Sequence, residues 1–204
     1  MRKSFIKVFE EYGINTEQFK TLNREKYEGR PLSEQLQMRK EDLKIQQSLE
    51  PTTFSKKAFQ YQLEIAKDKY IPNPDVLKII QNAKEKGIKI AVATSSVRER
   101  AITLLTLVGV YDKLDAFVSC EDITKGKPNP ESFLKAAELL HIKPENCVVI
   151  EDAINGIQAA KNAGMKVIAK VKPERISEGF NQADICFENF KDLSLADIEN
   201  IFIK

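Results

Sequence analysis

The sequence predicts a parallel α/β fold over residues 71–204, preceded by an all-helical segment over residues 1–70. Three observations carry this reading. Up to about Tyr70 the chain is rich in Lys, Glu and Gln, and its apolar residues recur at helical intervals, as in Phe5, Val8, Phe9 and Tyr12. After Ile71-Pro72, short apolar runs alternate with amphipathic stretches, the pattern of strands joined by crossover helices. Within that second part, Asn73-Pro74-Asp75 and Asn129-Pro130-Glu131 each offer an Asn N-cap, a Pro at the first helical position and an acid behind it.

Taken in order, breaks at Gly13, at Gly29-Arg30-Pro31 and near Pro51-Thr52-Thr53 divide the first segment into about four helices. The helix that starts after Asn73 should close at Gly87, a glycine placed as a C-cap. Strands are expected over residues 88–93, 115–119, 147–150, 166–169 and 183–187. A helix over 153–163 carries Ile154, Ile157 and Ala160 on one face. There is no internal repeat and no low-complexity tract.

Composition removes several function classes. With 204 residues, 42% hydrophobic and 30% charged, the chain can bury one core and a smaller subdomain. Lys and Arg total 32 against 30 Asp and Glu, so the net charge of +2 supplies no field for nucleic acid or an anionic membrane. Phosphate-binding basicity must then be local. Cys120, Cys147 and Cys186 are widely spaced, with no CxxC and no Cys/His cluster, and read as inert thiols of a reducing compartment. The sole histidine, His141, lies at a helix end, so a His-based triad or a zinc site is excluded. The N-terminus lacks a sustained apolar stretch and no segment approaches membrane-spanning length, so a cytoplasmic protein is expected.

Three segments hold the candidate chemistry. In Ala93-Thr94-Ser95-Ser96-Val97-Arg98, small hydroxylic residues stand where an apolar strand ends and a helix begins, the place where open α/β sheets bind anions. Simple helix capping explains the same residues. In Lys125-Gly126-Lys127-Pro128-Asn129-Pro130, the prolines restrict the backbone and would aim the Lys127 ammonium in one direction; a solvated loop lysine is the alternative. In Val148-Val149-Ile150-Glu151-Asp152, an apolar strand runs directly into two carboxylates. Such a pair suits a hard cation such as Mg²⁺, or else caps the helix that follows.

The order and spacing of these segments resemble the haloacid dehalogenase superfamily, in particular its branch of β-phosphoglucomutase and small sugar-phosphate phosphatases. The resemblance covers nearly the whole chain. It implies a Rossmann-like parallel core at 71–204 with a helical cap at 1–70 that closes over the site and selects the substrate. It also implies that Thr94 binds the transferring phosphoryl group, with Ser95 and Ser96 adding backbone N–H donors and Arg98 close by. Lys127 would neutralise phosphate and nucleophile, and Glu151 and Asp152 would bind Mg²⁺. The expected ligand is a small phosphorylated metabolite such as a sugar phosphate.

Two residues depart from the family pattern. Leu32, after Tyr27-Glu28-Gly29-Arg30-Pro31, stands about where the mutase carries a phosphate-binding arginine, which favours a phosphatase over a mutase. Cys120 replaces a usual glycine.

The largest departure is the first motif, an Asp-x-Asp-Gly that ends the central strand and supplies the nucleophile. It would fall ahead of Met1. The expectation is therefore a sheet whose central strand is missing, with unpaired backbone on either side of the gap. A start at an internal methionine is favoured over a genuinely shortened protein; a monomer is expected, or a strand-complemented dimer if the chain is truly shortened. Without its attacking aspartate the chain as written should turn over little. A non-catalytic phosphate-binding or interaction module is the competing reading.

Overall fold

The computed structural model describes residues 2–17, 19, 22, 26, 32–66 and 70–203. The chain divides into two compact units, Met1–Tyr70 and Ile71–Lys204. The first contains α1 (Arg2–Glu11), α2 (Leu32–Asp42) and α3 (Pro51–Ala66). The further helix expected between Gly13 and Gly29 falls mostly outside the described residues. Pro51 opens α3 at its first position, where a missing N–H costs nothing. The spacing that marked α1 places Phe5, Val8 and Phe9 on one buried face with Phe19, Leu36 and Phe54. The Phe5 and Phe54 rings meet edge-on at 5.2 Å, an arrangement favoured by their quadrupoles.

The second unit runs α4 (Pro74–Glu85), β1 (Ala91–Ala93), α5 (Arg98–Leu107), β2 (Ala116–Val118), α6 (Glu131–Leu140), β3 (Val148–Glu151), α7 (Ile154–Asn162), β4 (Lys166–Lys170), β5 (Ile185–Phe187) and α8 (Leu195–Asn200). Asn73 caps α4 by accepting the Asp75 and Val76 N–H groups, and Gly87, at φ +71°, ends it in the left-handed region. The strand expected over 88–93 starts only at Ala91. The Ile90 N–H is taken by the Asp115 side chain at 2.9 Å instead of by a neighbouring strand. α6 begins at Glu131, one residue later than the Asn129 cap implies, although Asn129 Oδ1 still accepts the Glu131 N–H.

Among the described residues all strand pairs are parallel, and the sheet is in two parts, β1-β2 and β3-β4-β5. β4 is the only strand with a partner on both sides among the described residues. Its Val167 and Ala169 pack into a core with Ile157, Ala160 and Phe133 from α7 and α6. Ile168, pointing the other way, packs with Ala83, Leu195 and Ile198 from α4 and α8. Helices thus cover both faces, as parallel strands require. The break in the sheet lies between β1 and β3, the two strands whose ends lead into Thr94 and Glu151.

Candidate active site

The carboxyl ends of β1 and β3 are brought together by one side chain. Lys127 donates from Nζ to the Ala93 carbonyl at 3.3 Å and to the Glu151 carboxylate. The ammonium also lies 4.4 Å from the centre of the Phe133 ring. The Lys127 and Glu151 side chains are only 14% and 11% exposed, so this ion pair is shielded from water and stronger than a surface pair.

The loop that carries Lys127 is pinned from below. The Glu131 carboxylate accepts the backbone N–H groups of Thr124 and Lys125, each at 2.8 Å, and these bonds hold its pKa below the ordinary value. At the other end, Asn162 of α7 donates to the Pro128 carbonyl at 3.1 Å. Lys125, two positions earlier, is exposed.

Glu151 does more than pair with Lys127. Its carboxylate also accepts the Asp152 and Ala153 N–H groups at 3.1 and 3.3 Å, at the start of α7. It can lie there only because Gly156 has no side chain: a Cβ at that position would overlap the Glu151 carboxyl group. Asp152, by contrast, is exposed.

Beyond β1, Thr94 extends the ladder by donating its N–H to the Val118 carbonyl at 2.9 Å, and its hydroxyl oxygen accepts the Ser96 N–H at 3.1 Å. Ser95 is exposed. Arg98 is engaged by Asp122, whose two carboxylate oxygens each lie 2.6 Å from one guanidinium nitrogen. The Ser119 backbone N–H and hydroxyl, then Arg98, lower the Asp122 pKa to about 2. The structure therefore brings Thr94, Lys127 and Glu151 to the ends of β1 and β3, with Asp152 beside them, and gives Arg98 a clamp between α5 and the turn after β2.

Sequence reasoning missed Glu131, Gly156 and Asp122. Glu131 and Gly156 were visible only as a first-turn acid and a glycine two residues into a helix. Cys120 donates its N–H to the Ser96 carbonyl at 3.2 Å, and burial pushes its thiol up. The segment 27–31 and the side chain of Leu32 lie outside the described residues, so the mutase arginine position has no structural counterpart here.

Among the described residues no three His, Cys, Asp or Glu side chains converge on one point. Mg²⁺ nevertheless takes one or two carboxylates and fills its remaining positions with water and substrate oxygens. Asp152, with Glu151 behind it, fits that mode of binding.

A parallel sheet with helices on both faces and polar side chains gathered at the carboxyl ends of its strands defines an open α/β protein. Residues 2–164 match the family model of haloacid dehalogenase-like hydrolases, and the chain belongs to that family. It is 34% identical over 140 residues to the phosphorylated carbohydrates phosphatase of Thermotoga maritima, covering 69% of this chain and 64% of that one. Hexitol phosphatase B of Escherichia coli is 31% identical over 126 residues, covering 61% and 57%. The crystal structure of β-phosphoglucomutase from Clostridium difficile superposes with a TM-score of 0.76 at 24% identity, over 99% of this chain and 87% of that one. The matched segment spans 42%, 64% and 56% of the length of three curated relatives. No helix among the described residues is long and apolar enough to cross a membrane.

Proposed function

We propose that the protein is a Mg²⁺-dependent phosphatase for a small phosphomonoester such as a sugar phosphate, working through an aspartyl phosphate whose aspartate lies outside residues 1–204. The observation that carries this is the Lys127 ammonium, fixed between the ends of β1 and β3 by a loop that Glu131 and Asn162 hold still. A strand between β1 and β3 would end at that ammonium. The sugar-phosphate phosphatases among its relatives support the substrate class.

Each residue has a definable part. Lys127 would offset charge on the phosphoryl oxygens and on the attacking carboxylate. The Thr94 hydroxyl oxygen already accepts from Ser96, which leaves its proton to donate to a phosphoryl oxygen. Glu151 orients Lys127 from behind. Asp152 would hold Mg²⁺, which supplies charge neutralisation at the phosphate. Water then hydrolyses the aspartyl phosphate, releasing inorganic phosphate and the free carboxylate.

Phosphate or vanadate binding tests the reading directly. Lys127→Ala should abolish it and Lys125→Ala should leave it nearly intact. A similar loss from both would show that general loop charge, not a positioned lysine, attracts the anion.

A further inference from the structure

The turn that follows β1 is held by the segment that follows β2. Past the strand ends, the contact between the two continues through backbone bonds: the Thr94 N–H donates to the Val118 carbonyl at 2.9 Å, and the Cys120 N–H to the Ser96 carbonyl at 3.2 Å. α5 then starts at Arg98 behind Val97, whose side chain has no oxygen with which to cap it. An acceptor comes instead from the neighbouring segment, where Glu121 Oε1 takes the Arg98 N–H at 3.2 Å.

Asp122 is the hub of this arrangement. Its carboxylate accepts the Ser119 N–H and hydroxyl, each at 2.7 Å, and both of its oxygens lie 2.6 Å from one terminal nitrogen of Arg98. Its carbonyl accepts from the Lys135 ammonium of α6 at 2.6 Å. Ser119 is completely buried, so the hub is tied to the interior at its base. The Arg98 guanidinium lies 5.3 Å from the centre of the Phe117 ring, which draws the side chain from α5 back onto β2. Arg98 is thereby matched by a carboxylate and an aromatic face before any ligand arrives.

We propose that Asp122 is a positioning residue for phosphoryl binding: through Ser119 and Arg98 it fixes the turn that carries Thr94 and Ser96, and Arg98 is its strut and not a ligand of the phosphate. This rests on the phosphatase reading for the role of Thr94. The path between them is short. Ser96 is bonded on both sides, its carbonyl accepting from Cys120 and its N–H donating to the Thr94 hydroxyl oxygen at 3.1 Å. A shift of the segment 119–122 therefore turns the hydroxyl whose proton is to reach a phosphoryl oxygen, and a misplacement of about 1 Å is enough to lose most of such an interaction.

Asp122→Asn keeps the size of the side chain and removes its charge. Calorimetric titration of the 204-residue chain with vanadate should show binding weakened about tenfold in Asp122→Asn and in Arg98→Gln, with no further loss when the two are combined and partial recovery in Arg98→Lys. Were Arg98 a ligand, Asp122→Asn would release it, and binding that holds or tightens would overturn the proposal. A Thr94→Val background separates positioning from general destabilisation. There the group being positioned is gone, so Asp122→Asn should change the affinity by less than about twofold. The full loss in that background would equally overturn the proposal. Amide hydrogen exchange reads the turn with no anion present: the Thr94, Ser96 and Cys120 amides should exchange at least about tenfold faster in Asp122→Asn, while those of β4 keep their rates. Unchanged exchange at the turn would show that Asp122 does not hold it. If exchange quickens as expected but the unaltered chain takes up no vanadate, the phosphatase reading is what has failed: Asp122 still fixes the turn, but not for phosphate.

Discussion

β4, β3 and β1 have similar sequences and different fates. Val167, Ile168 and Ala169 of β4 are completely buried, whereas every residue of β1 is half-exposed and Ile150 of β3 is 39% exposed. Val-Ile-Ala in one strand and Val-Val-Ile in another carry much the same hydrophobicity. What separates them is pairing: β4 has a strand on either side and helices on both faces, while β1 and β3 each keep one open edge among the described residues. In a parallel sheet, burial follows from having two neighbours.

Filling that gap should have the largest effect. A family-like apolar segment ending in Asp-x-Asp-Gly, joined ahead of Met1, should raise the thermal unfolding temperature and create Mg²⁺-dependent hydrolysis of p-nitrophenyl phosphate. Turnover should exceed that of the 204-residue chain by roughly three orders of magnitude or more, because residues that act as a unit fail together. Equal rates with the same metal dependence would mean that another residue is the nucleophile.

Core truncation comes next. Ile168→Ala should cost about 2–4 kcal/mol in chemical denaturation, and Ile150→Ala less than about 1 kcal/mol. Comparable losses would show that β3 is as well packed as β4. At the strand ends, Asp152→Asn should weaken Mg²⁺ binding more than Glu151→Gln does, because only Asp152 is exposed while Glu151 is held by Lys127 and the start of α7. Unweakened binding in both would remove the metal assignment.

The smallest effect concerns acid. Asp115 is lowered to about 2 by the Ile90 N–H first and then by Lys84, and Asp122 to about 2 by Ser119 and Arg98. Each is depressed in the folded state, so each stabilises above the unfolded value of 3.8 and loses that contribution as pH falls towards 2. Asp115→Asn should flatten the decline in unfolding temperature across that window. An unchanged slope would show that other carboxylates control it.

Much of this was legible in the sequence because it depends on local rules. The α4 cap at Asn73, the stop at Gly87 and the order of five strands follow from residue types at short spacing. The site was legible as three separate segments. Their convergence was not, because it depends on contacts across distant positions: Lys127 meets Glu151, and Arg98 meets Asp122. The same holds for Gly156, whose importance lies in what rests against it and not in its own backbone. The late start of β1 at Ala91 was missed because a side chain, Asp115, took the Ile90 backbone donor.

The Lys127–Glu151 pair also bears on which ions the protein ignores. With its ammonium already matched by an internal carboxylate, the centre presents little net charge to a passing chloride or acetate, which would exchange one monoanion for another and gain nothing. A phosphate dianion brings twice the charge and more acceptor oxygens, so it can share the lysine without stripping it from the glutamate. On the phosphatase reading, the pair would act as a threshold on ligand valence, set by the glutamate that already matches the lysine.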